Sequence, residues 1–90
     1  MKRYIIERDL PGVGSLDSAQ LKSTAKAGND AIAGMNGKAQ WEQSFVVADK
    51  TFCIFRAESE DALHEHARAS GFPITRLTEV TSVIDPLSGA

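Results

Sequence analysis

From Thr51 to Ile84 the chain reads TFCIFRAESEDALHEHARASGFPITRLTEVTSVI, and three structural periods follow one another in it. Thr51 to Arg56 is short, β-branched and aromatic, which is the composition of a strand. Ser59 is placed to cap a helix whose sheet-facing stripe is Ala62, Leu63, His66, Ala67 and Ser70, and Gly71 and Pro73 end it. Ile74 to Ile84 returns to strand character until Asp85-Pro86 breaks it.

Upstream, the same order appears once more. Trp41 to Val47 reads as a strand joined to Thr51–Arg56 through Ala48-Asp49-Lys50, short enough for an antiparallel hairpin. Arg3 to Asp9 is a further strand, stopped by Pro11-Gly12. Between them, Asp17 and Gln20 form a capping-box pattern in which each side chain satisfies an orphan N–H of the first helical turn. Leu21, Ala25, Gly28, Ile32 and Met35 then fall on one helical stripe, and Asn36-Gly37 tolerates the left-handed exit near Met35. Gly28 inside that helix costs about 1 kcal/mol against alanine, which points to a helix backbone lying close to the sheet. The order β, α, β, β, α, β is the split βαβ motif, so the fold class is α+β: a ferredoxin-like βαββαβ domain with two helices on one face of a four-stranded antiparallel sheet. The first and third strands are then central neighbours, and Glu7 and Cys53 come together if they point to the same face.

Ninety residues make one domain, 1–90, because so short a chain cannot divide its apolar residues between two cores. A 42% apolar and 24% charged composition is that of a folded globular chain. The uncovered sheet face is an apolar patch that a second copy would bury, so a homodimer is expected. Net charge is −2 with Lys and Arg scattered, which gives no footprint for a phosphate backbone, so nucleic acid is not an expected partner. The apolar run after Met1-Lys2-Arg3 is too short for a leader or a span, so the expected location is the cytoplasm, away from membrane. One cysteine, Cys53, closes no disulfide within the chain, in keeping with a reducing compartment.

Few residues carry chemistry. Gly12-Val13-Gly14 lacks the third glycine of a nucleotide loop, and CxxC, HExxH and GxSxG are all absent. A binding role is therefore expected over a catalytic one, with no organic cofactor. His64 and His66 are about 200° apart around the helix, so one ion cannot easily take both. His64 keeps company with Glu60 and Arg68 in a solvated stripe; His66 lies on the apolar stripe, where its ring needs a hydrogen-bond partner. A lone strand cysteine such as Cys53 is usually a small buried hydrophobe. Glu7 and Glu79 interrupt apolar strands, and Trp41 suits a core or a contact between copies.

Thr51–Phe55, Ser59–Ala67, Gly71-Phe72-Pro73 and Val83–Pro86, together with Tyr4–Asp9 and Trp41–Ser44, resemble a family of small bacterial ferredoxin-like proteins of unknown function that includes a nickel-responsive, nickel-binding protein. The resemblance implies a ferredoxin-like homodimer that takes up nickel and has no established catalytic activity. Cys53 and Glu7 fall in stretches that match the family, and His66 is added by inference, so the candidate metal ligands are Cys53, Glu7 and His66. Nickel takes thiolate, imidazole and carboxylate donors, and a two-fold interface doubles each donor facing it. If Cys53 points to the open face, His66 on the covered face cannot reach it, and one of the two drops out. The alternative function is a small-molecule-binding or enzymatic domain that uses the open sheet face as a pocket, on fold analogy.

Overall fold

The computed structural model describes all of residues 1–90. Four strands, β1 (Lys2–Asp9), β2 (Ala39–Val46), β3 (Lys50–Ala57) and β4 (Arg76–Val80), form one sheet in the order β2-β3-β1-β4. Every neighbouring pair is antiparallel. Helices α1 (Ser18–Ala33) and α2 (Glu60–Ser70) complete the βαββαβ order, and the ferredoxin-like reading holds.

Local chemistry sets the helix limits. Asp17 accepts from the Gln20 N–H at 2.8 Å while Gln20 Oε1 accepts from the Asp17 N–H at 2.9 Å, a reciprocal cap that satisfies two otherwise orphan donors. Ser59 Oγ accepts from the Ala62 N–H, and α2 ends on Gly71 at φ 80°, a left-handed conformation that costs glycine little. Asn36 and Gly37 also take positive φ, turning the chain from α1 into β2.

Alternation along the strands divides the sheet into two faces. Tyr4, Ile6, Cys53, Phe55 and Ala57 are buried on one of them, against Met35 beyond the end of α1 and against Ala62 and Leu63 of α2. Ile5, Phe52 and Ile54, pointing the other way, are half-buried, and Phe45 beside them is 55% exposed.

Two details depart from the sequence reading. β4 covers Arg76–Val80 where Ile74–Ile84 reads as strand. Val80 pairs with Arg3, and the ladder ends there, one residue short of the start of β1. Val83 and Ile84 are left strongly exposed. In β2 the register slips between Trp41 and Gln43, leaving Glu42 as the extra residue of a bulge. The bulge keeps Trp41 opposite Phe55 and Ser44 opposite Cys53, so both share the helix-side face.

Candidate functional site

Cys53 lies opposite Ile6 in the β1–β3 ladder, whereas Glu7 lies opposite Phe52. Directly opposed residues share a face, so Cys53 points under the helices and Glu7 points to the bare side. The juxtaposition of Glu7 and Cys53 in one site therefore does not occur within a chain. Cys53 instead shares the covered face with His66, and both line a cavity of about 250 Å³ between α1, the sheet and the segment after α2. The cavity of the single chain is thus on the helix side of the sheet.

His66 is 1% exposed. Its Nε2 lies 3.2 Å from the Gly28 carbonyl oxygen; a carbonyl only accepts, so Nε2 carries the proton and Nδ1 is a bare lone pair. Nδ1 has no partner in the protein. Burial pushes the imidazole below its ordinary value; the Gly28 hydrogen bond opposes this and the Arg8 charge adds to it. Phe55 leans on the ring with centroids 5.0 Å apart. The Cys53 thiol has the Thr51 hydroxyl at 3.5 Å.

Arg8 completes this wall. It is 2% exposed, and its Nη1 donates to the carbonyl oxygens of Pro73 at 2.9 Å and Phe72 at 3.4 Å. The guanidinium carbon lies 5.8 Å from the centre of the Phe55 ring and 5.9 Å from that of Phe72. Nη2 is buried without a partner, and no carboxylate pairs with Arg8 among the ion pairs of the chain. Sequence reasoning passed over this residue as one more scattered cation. The signal was there: Arg8 continues the period-two series Tyr4, Ile6 onto the buried face.

Glu7 has a different setting. On the bare face Lys50 Nζ lies 3.8 Å from both Glu7 Oε1 and Asp9 Oδ1, so one ammonium serves two carboxylates a strand repeat apart. Farther along, Glu42 at the bulge accepts from Arg56 at 2.7 Å and Arg3 at 3.1 Å; the Arg56 hydrogen bond first, then Arg3, hold its carboxyl below the usual range against the cost of desolvation. His64 is exposed, and Glu79 pairs with Lys2 at 3.2 Å. Trp41 is half-buried, lines the cavity and donates from Nε1 to Ser44 Oγ at 2.9 Å.

The family model described as "Nickel responsive protein SCO4226-like" matches residues 4–80, from the buried Tyr4 to the end of β4. The chain belongs to the SCO4226-like family. The crystal structure of SCO4226 from Streptomyces coelicolor A3(2) superposes with a TM-score of 0.73 at 16% identity, covering 91% of this chain and 99% of that one, and this shows a shared fold. No curated protein matches the sequence.

The SCO4226-like description raises the question of whether these residues suit nickel. Nowhere in the chain do three or more His, Cys, Asp or Glu side chains gather as a metal-binding group. Cys53 and His66 supply a soft donor pair on one face, but beside the charge of Arg8, which disfavours a second cation there. Glu7 and Asp9 supply oxygen donors on the other. One chain therefore offers two partial donor sets on opposite faces of the sheet, and these cannot serve a single ion.

Proposed function

We propose that the protein serves a nickel response as a small homodimer in which two bare sheet faces meet and a transition-metal ion is held between the copies. The observation that carries the reading is the family match over residues 4–80. Ile5, Phe52, Ile54 and Phe45 give the bare face an apolar centre, the kind of patch that a second copy buries. Glu7 is the one expected ligand on that face, and a two-fold axis doubles it. Asp9 stands beside it, and Lys50 occupies the place of a cation between them. A divalent ion entering there takes oxygen donors from both copies and displaces the ammonium. Cys53 and His66 lie outside this site.

Calorimetric titration of the purified protein with nickel and with zinc, alongside its mass in solution, tests the reading. The expected result is a dimer that binds one ion per pair of chains, loses it in Glu7→Gln, keeps it in Cys53→Ala and binds more tightly in Lys50→Ala. A monomer, or nickel uptake no stronger than loose surface association, would sink it.

A further inference from the structure

We propose that the helix-side cavity is a binding site for a small amphipathic carboxylate, with the acid group on Arg8 and an aromatic or branched alkyl body against Trp41 and Phe55. This site is independent of the metal reading.

The argument starts from an unbalanced charge. A guanidinium is ionised at every ordinary pH, and a buried charge without a counter-charge is costly. Arg8 is 2% exposed, its Nη1 is held by two backbone carbonyls, and Nη2 has nothing. The carbonyls are neutral, so the positive charge is left uncompensated by any carboxylate of the chain. Nη2 is closed to water, so the guanidinium stands just behind the lining, and an acid group meets it once a covering side chain such as Phe72 moves aside. What this wall lacks is an anion.

Size and lining then narrow the class. Cavities that take small organic ligands are mainly apolar with a few placed polar groups, and here Leu21, Trp41 and Phe55 stand around Arg8 and His66. An engineered apolar cavity of ~150 Å³ takes benzene; about 250 Å³ holds one ring or a branched chain together with an acid group. One cation matches one negative charge. A monoanionic carboxylate fits this arrangement, and a phosphate dianion does not.

The sole tryptophan of the chain is Trp41, and it lines the cavity, so its fluorescence reports occupancy directly. Titration with phenylacetate, in buffer stripped of metal by a chelator, should give a saturable change, with phenylacetamide at least tenfold weaker. Arg8→Met should lower phenylacetate affinity tenfold or more. Ala25→Leu should do the same by filling the space while leaving Arg8 in place, with circular dichroism confirming that both variants are folded. If neither variant folds, the acid-to-amide ratio on the native protein decides alone. Absence of any saturable response up to roughly 10 mM, where affinity is too weak to mean a site, overturns the proposal. So does equal binding of acid and amide, or undiminished binding by folded Ala25→Leu. Because no metal is present, none of these results depends on nickel binding.

Discussion

Gly28 brings α1 against β2 by a route that leaves room to spare. A Cβ built there would rest 3.7 and 3.8 Å from the ring of Trp41, an ordinary contact. Close approach therefore does not require glycine at this position, contrary to the expectation from sequence, and the helix-propensity cost is not offset by tighter packing. Gly28→Ala should raise stability by up to about 1 kcal/mol, read as a higher denaturant midpoint with an unchanged slope. His66 belongs to the same contact through the Gly28 carbonyl. Its folded value is depressed below the ordinary 6.5 by burial, with Arg8 contributing, so the unfolded chain takes up the proton first as pH falls. Its contribution to stability is complete above 6.5 and is lost progressively below it. Denaturant midpoints taken across that value should fall on acidification, and His66→Gln, which keeps a donor for Gly28, should flatten that part of the profile.

Elements seat one another through backbone as much as through side chains. The short 3-10 turn Val13–Ser15 sits under the β2–β3 hairpin, where the Gly14 N–H donates to the Ala48 carbonyl at 3.0 Å. A Cβ at Gly14 would lie 2.7 Å from the Val47 carbonyl oxygen and 2.8 Å from Ala48 Cα. Backbone atoms cannot swing aside as a side-chain tip can. Gly14→Ala should thus cost about 1–3 kcal/mol, the range for overpacking, visible as a lowered thermal midpoint. The contrast with Gly28 shows what a sequence carries and what it does not. Periodicity, the Asp17/Gln20 box and the Asn36-Gly37 exit are local, and each was legible because each acts within a few residues. Whether a glycine is needed depends on what stands opposite, and that is tertiary. The end of β4 opposite Arg3 is tertiary too, and so is the Glu42 bulge.

Across the whole molecule, the fold was legible because six elements in that order admit few topologies. The candidate site was legible only in part. Choosing Cys53, Glu7 and His66 required knowing which face each strand residue takes, and a one-residue change of register reverses that. The observed register sends Glu7 one way and Cys53 the other. Arg8, which gives the covered face its charge, has no motif around it; only its place in the alternation marks it. The outcome is two separate surfaces with opposite electrostatic demands, an acidic pair on the bare face and a cation inside the covered one. That separation is why the nickel and phenylacetate titrations address different residues and report independently.

The seclusion of Cys53 bears on how copies of the protein associate. With the one sulfhydryl of the chain tucked beneath the helices, oxidants find nothing on the exterior with which to weld two molecules together. Any pairing through the opposite side is held without a disulfide, so it dissolves on dilution and re-forms on concentration.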